Sequence, residues 1–309
     1  MLVSSWSGPP HPILLKYTRT KRTFTERTVV AFSNHKEELV GRDRIVMTVL
    51  DHFHNARSAF LVGAAGIGKT AILHAAVNRA RDLGGARTPI YCGQTSTLKI
   101  TLRCMAEALL AQDADWPTLG PRDAPISSDR QLTLPRNLGR LSIGKLRRIV
   151  VPRLKSGRYT LLLDHVTAVR AAKSVFLEYL VESLGIPIVA AVRSLHPQEI
   201  GWLWWVGLSF AKIEVPALRP AEARRLIEQM LDRGGASLPD RESFVNGLLS
   251  RAHGNPRVIV RVCGLARSPR YQTGGRTNFR LLLLDLKIRD LQDQIEVDAR
   301  LPLRGPVSQ

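Results

Sequence analysis

Gly63-Ala64-Ala65-Gly66-Ile67-Gly68-Lys69-Thr70 fits the pattern G-x-x-x-x-G-K-[ST] at every fixed position. A short apolar run, Ala59-Phe60-Leu61-Val62, precedes it. A strand, a glycine-rich turn and then a helix is the context in which that pattern cradles phosphates. The glycines allow a tight turn whose N–H groups point at phosphate oxygens. Lys69 is placed to reach β- and γ-phosphates, and Thr70 to set a hydroxyl on Mg²⁺. A helix opening here adds the positive end of its dipole. The expected ligands are ATP or ADP with Mg²⁺, held among Gly63, Gly66, Ile67, Gly68, Lys69, Thr70 and Ala71.

Around this stretch, strand-like runs at 59–62, 89–92, 160–163, 187–192 and 211–215 alternate with helical segments. Helices are expected to start at Lys69 and near Leu98, Ile143, Val169 and Pro197. Such alternation argues an α/β fold, a parallel sheet with helices on both faces. Residues 39–53 read as a helix ahead of the first strand, with Val46, Leu50 and Phe53 on one face. After Pro216 the strands stop. Pro220 suits the first turn of a helix over 221–231, and further helices are expected over 241–251, 256–265 and 279–299. The expected organisation is a basic arm over 1–37, an α/β domain over 38–216, a small helical domain over 217–268, and a final helix and tail over 269–309. A chain of 309 residues, 44% hydrophobic, is long enough for one good core and a satellite.

The formal charge of +19 calls for a polyanionic partner or a strongly self-repelling monomer. Nucleic acid is the first candidate and an anionic membrane surface the second; an Arg-biased composition with no partner is the third reading. The cations gather over 16–27 and over 122–158, where only Asp123 and Asp129 oppose them. No apolar run approaches the roughly 20 residues that a membrane-spanning helix needs. Cys92, Cys104 and Cys263 form neither a disulfide framework nor a zinc spacing, and the N-terminus lacks the order of a signal peptide. A cytoplasmic setting is expected.

Leu161-Leu162-Leu163-Asp164 reads as a strand ending in a carboxylate at the sheet edge where open α/β sheets bind ligands. Asp164 would hold Mg²⁺ directly or through water. His165 follows, where many P-loop ATPases carry a Glu that activates water. An imidazole is a different base, so slow turnover is expected, with nucleotide acting as a switch; a packed or solvated His is the other reading. Arg193 ends the fourth strand and could reach a γ-phosphate, or could be a surface arginine. Gly254-Asn255-Pro256-Arg257 opens a helix, and Arg257 there could close on phosphates; turn chemistry alone would also explain it. Trp202, Trp204 and Trp205 read first as packing and second as a platform for stacking bases. Leu281, Leu284, Ile288, Leu291 and Ile295 form a seam-like row, expected to pack on the helical domain, with self-association as the alternative.

Taken together, these residues resemble the ATPase domains of AAA+ and STAND P-loop proteins, whether initiator-like, transposon-regulator-like or NB-ARC-like, over residues 38–268. Leu39-Val40-Gly41-Arg42-Asp43 is similar to the box that frames the adenine there, which implies nucleotide contacts from Val40, Gly41 and Arg42. Val192-Arg193 falls where these families carry a sensor, and Gly254-Asn255-Pro256-Arg257 matches their second sensor, implying contacts from Pro256 and Arg257. The resemblance implies a five-stranded sheet in order 5-1-4-3-2 with a helical lid. His165 departs from the expected second acid. The helix before the fourth strand has no Arg at its end, where rings often place a trans-acting finger, so ring-type hydrolysis is not expected. Too few residues follow 268 for a winged-helix domain, so any DNA contact is expected from the basic segments. The rival reading is a signalling module whose ATP state gates a protein partner.

Overall fold

The computed structural model describes residues 39–84, 87–111, 138–156, 158–233, 240–266, 268–273 and 276–299, with the side chains of 156, 273, 290 and 293–299 left aside. The basic arm over 16–27 and the stretch 122–137 lie outside these residues.

A helix α1 (Asp43–His54) leads into β1 (Ala59–Val62), α2 (Lys69–Asp82), β2 (Thr88–Cys92), α3 (Leu98–Leu110), α4 (Ile143–Ser156) and β3 (Tyr159–Leu163). Next come α5 (Ala171–Glu178), which widens to a π turn over Tyr179–Ser183, β4 (Ile188–Val192), two one-turn helices α6 (Pro197–Ile200) and α7 (Leu203–Val206), and β5 (Ala211–Glu214). The five strands are parallel, in the order β2-β3-β4-β1-β5. That is the order 5-1-4-3-2 expected of the family resemblance.

Interior strands explain why the sequence reads as unbroken apolar runs there. Every residue of β4 is buried, as are Thr160 to Leu163 of β3. A strand covered by helices on both faces has no solvent side to alternate with. On one face α3, α4 and α5 pack through Leu102, Met105, Leu146, Val150, Phe176 and Leu180. On the other, α1 and α2 pack through Val46, Val49, Phe53, Ile72, Leu73 and Ala76.

Beyond β5 the chain is helical: α8 (Pro220–Arg233), α9 (Arg241–Ala252), α10 (Pro256–Ala266) and α11 (Phe279–Ala299). These helices have their own core, with Ile227, Phe244, Leu248, Ile259, Val262 and Tyr271 buried in it. Each large side chain buried in this way stabilises by about 1.5–3 kcal/mol, so the lid does not depend on the sheet for its hydrophobic interior. Asp240 caps α9 by accepting from the Ser243 N–H at 3.2 Å. The left-handed pair His253 (φ 46°) and Gly254 (φ 69°) stops α9 and turns the chain into α10.

Three expectations change. Strands do not stop at Pro216, because a two-residue ribbon, β6 (Gln272–Thr273) with β7 (Arg276–Thr277), precedes α11. Residues 39–42 form a turn instead of the first helical turn, with Gly41 at φ 68°. The leucine row of α11 does not pack on the lid: Leu281, Leu284, Ile288 and Leu291 are exposed, whereas Leu282 and Leu286 are buried. The side chain of Ile295 lies outside the described set. Among the described residues no helix is long and apolar enough to cross a membrane.

Candidate functional site

The glycine-rich loop ends where α2 begins, at Lys69, with Gly68 in a conformation (φ 100°) that only glycine adopts freely. The first-turn N–H groups of a helix have no intrahelical partner, so a loop that feeds them toward one point must turn its carbonyls away. Each of those carbonyls meets a donor. Lys69 Nζ donates to Gly63 O at 2.6 Å and Ala64 O at 3.0 Å. Asn255 Nδ2 donates to Ala65 O at 3.0 Å, and the Arg257 N–H to Gly66 O at 3.1 Å. Arg42 Nη2 donates to Ile67 O at 3.3 Å.

Two of these donors belong to the lid, from the turn between α9 and α10. Asn255 also caps α10: its Oδ1 accepts from the N–H groups of Arg257 at 3.0 Å and Val258 at 3.5 Å. One amide thus starts a lid helix with its oxygen and grips the loop with its nitrogen. The approach is close enough to require glycine at Gly66 (φ 77°), where a Cβ would sit 2.7 Å from Arg257 Cβ. Gly254 is held in turn, its carbonyl accepting from the Leu218 N–H at 2.9 Å. The lid also reaches the 39–42 turn, where a Cβ on Gly41 would meet the Glu222 carboxylate of α8 at 2.5 Å. Arg42 beside it is buried; burial lowers its pKa and Glu222 opposes that. Its Nε is a buried donor with no protein partner.

Asp164 lies just past β3 and is almost fully buried. Its N–H donates to Cys92 O at 2.9 Å, its Oδ1 accepts from the His165 N–H at 2.8 Å, and its Oδ2 accepts from Tyr91 Oη at 3.0 Å. Burial, and then Asp164, push the Tyr91 phenol well above its usual range, so it remains a donor. Lys69 feels Asp164 and Arg193: burial lowers its pKa, Asp164 opposes this and Arg193 reinforces it. Lys69, Asp164 and Arg193 therefore share one electrostatic site at the C-terminal ends of β1, β3 and β4. His165 stands beside it, its ring largely exposed, with Nε2 3.6 Å from Asp164 Oδ2. Its backbone is left-handed (φ 51°), a strain of about 1–3 kcal/mol for a residue with a side chain.

Behind Asp164 is a buried relay. Thr95 Oγ1 donates to Asp164 O at 2.8 Å, and Thr95 O accepts from Lys173 Nζ of α5. Lys173 is buried although it is charged in water. Burial brings its pKa down to about 8, with Cys92 opposing the shift.

The structure brings Arg42, Gly63 to Ala71, Asp164, Arg193 and the 254–257 turn around one loop. Val40 is buried and Pro256 half-buried within the same two turns. Sequence reading gives no role to Tyr91, Thr95, Lys173 or Glu222, and it reads Asn255 only as part of the 254–257 turn. Tyr91 alone had a signal: it precedes Cys92, which pairs with Leu163, the residue before Asp164. The tryptophans do not pack inward as first expected: Trp202, Trp204 and Trp205 are 59%, 37% and 56% exposed.

A profile described as an AAA ATPase domain matches residues 38–192. No curated protein sequence matches. The structure of the Aeropyrum pernix Orc1 protein in complex with DNA is similar at TM-score 0.58 and 20% identity, covering 86% of this chain and 70% of that one. The Walker-type ATPase PABY2304 of Pyrococcus abyssi is similar at TM-score 0.52 and 12% identity, covering 86% and 78%. At such identities the likeness is one of fold.

The buried relay gives a pH signature. A lysine held at about 8 when folded and titrating near 10.4 when unfolded costs stability fully below about pH 8. That cost is relieved as the pH rises to about 10.4, because the unfolded chain binds the extra proton throughout this window. Urea midpoints at about pH 7 and about pH 10 should therefore rise in the native chain relative to Lys173→Met. Parallel midpoints in the two proteins would show that Lys173 carries no burial penalty.

Proposed function

We infer the function from one premise: the chain belongs to the AAA ATPase domain family. We propose that it is an ATP-binding switch with slow hydrolysis that acts on or near DNA. The observation that carries the switch is the lid's grip on the P-loop. Asn255 and the Arg257 N–H hold the carbonyls of Ala65 and Gly66, so a loop that adjusts to phosphates moves the surface on which the lid sits. Differential contact of this kind is what lets a ligand bias a domain equilibrium.

In this reading Lys69 exchanges two carbonyl contacts for β- and γ-phosphate oxygens. Thr70 and Asp164 would hold Mg²⁺; a buried carboxylate already fixed by two donors suits a hard cation, which would neutralise charge on the phosphates. The unpaired Arg42 Nε is a donor that an adenine ring nitrogen could complete, and Val40, Gly41 and Pro256 frame the base. Arg193 and Arg257 sense the γ-phosphate. His165 supplies a different base from a carboxylate poised on water, with one acceptor nitrogen when neutral, which supports slow turnover. DNA rests on the charge of +19 and on the basic stretches; from Leu138 to Arg158 no acidic residue occurs.

Lys69→Ala should abolish ATP binding at micromolar protein, read by calorimetry, with an unchanged circular dichroism spectrum. Unchanged affinity would remove the P-loop assignment. Asn255→Asp keeps the helix cap and deletes the donor to Ala65. It should bind ATP and remain folded, yet lose the difference between ATP and ADP in whatever the lid controls. Anisotropy of a labelled duplex, at low and near-physiological salt with ATP, ADP or neither, reads that difference directly. Arg147→Glu with Arg148→Glu should weaken duplex binding about tenfold or more and flatten its salt dependence. If neither a duplex nor a single strand binds in any nucleotide state, DNA is removed from the reading and the ATP switch is left to act on a protein.

A further inference from the structure

We propose that the tryptophan corner after β4, together with the outer face of α4, is a stacking platform for a single-stranded nucleic acid. This deepens the nucleic-acid reading above and rests on it.

The corner is built to face outward. In the one-turn helix α7 it is Leu203 that is buried, while Trp204 and Trp205, which follow it in sequence, remain open to solvent. Gly207 closes the turn against the ring of Phe60, so no side chain is left there to draw the helix in. The rings of Trp204 and Trp205 meet edge to face, with centroids 5.4 Å apart and planes at 85°. In that geometry one indole does not cover the faces of the other ring, whose edge it meets. Leu208 and, on α5, Val175 are exposed as well, and Ser174 next to Val175 donates to Trp202 O at 3.0 Å.

Charge selects the partner. The Arg147 guanidinium of α4 lies 5.2 Å over the Phe176 ring of α5, which puts α4 against the helix that seats Trp202. Arg140, Arg147, Arg148, Lys155 and Arg158 are exposed along this segment, and no acid interrupts them. Cations and open indole rings carried by elements that both pack on α5 fit a ligand that offers phosphates and unpaired bases together. A duplex offers the phosphates, but its bases are already stacked.

The platform is also wired to the nucleotide site. Ala168 N–H donates to Glu199 O at 2.7 Å, Val169 N–H to Ile200 O at 3.1 Å, and Trp202 N–H to Val169 O at 2.8 Å. The segment carrying the indoles is thus stitched to the loop that leaves Asp164.

The test uses the full chain with ATP at near-physiological salt, a labelled oligothymidylate and a duplex of equal length. Trp202→Ala with Trp205→Ala should weaken the single strand about tenfold or more and leave the duplex and ATP affinities alone. Trp202→Phe with Trp205→Phe should recover most of the loss, which a merely structural role would not explain. Since both indoles are exposed, thermal midpoints of the variants should match the native chain. Unchanged single-strand binding in the alanine variant overturns the platform while leaving the DNA reading intact, provided the duplex still binds. Failure of the native chain to bind either oligonucleotide overturns both, and a change in sedimentation of the alanine variant would then assign the corner to protein contact.

Discussion

A loop that turns its N–H groups toward an anion must turn its carbonyls the other way, and those carbonyls need donors. In this chain the requirement is met by four residues from three directions: Lys69 from the loop's own helix, Arg42 from the turn before α1, and Asn255 and Arg257 from the lid. The placement of the lid follows from it. So do the left-handed Gly66, the buried Arg42 and the unusual turn through His253 and Gly254. The back of the phosphate cradle and the front of the lid are one surface.

Energies say why such a surface can move. Each neutral hydrogen bond contributes about 0.5–1.5 kcal/mol net, so the two lid contacts together match the 1–3 kcal/mol by which coupled sites usually influence one another. A stronger grip would lock the lid, and a weaker one would leave nothing to transmit. On the other side of the cradle the arrangement is stiffer. Asp164 is buried and held by Tyr91 and by the His165 N–H, and its own carbonyl is tied through Thr95 to the ammonium of Lys173. One wall of the site is preset while the other is free to answer.

What could be read from the sequence was what depends on local chemistry. Gly63 to Thr70 declare a loop because glycine and lysine are needed at fixed offsets. Strand order followed from that loop and from Asp164 because the family arrangement leaves little choice once the first and third strands are known. Orientation of short elements was not legible. A one-turn helix shows no period, so nothing in Leu203 to Val206 says that leucine and not tryptophan goes inward. The four leucines from 281 to 284 likewise carry no period, and the row that packs is the one through Leu282 and Leu286. Nothing in the sequence around Lys173 marks it as buried; its ammonium meets the Thr95 carbonyl across the fold. The second role of Asn255 depends on a partner 190 residues away.

Asn255 is followed by proline, and this has a chemical consequence. Asparagine side chains age by attack of the next residue's backbone nitrogen on the amide, which forms a cyclic imide and then aspartate. Pro256 has no N–H to attack with. The same ring that starts α10 therefore protects the amide that holds the loop. Conversion to aspartate would put a carboxylate against the Ala65 carbonyl, replacing attraction by repulsion at the point where the lid reads the cradle. A lid joint built on asparagine is durable here because of its neighbour in the chain.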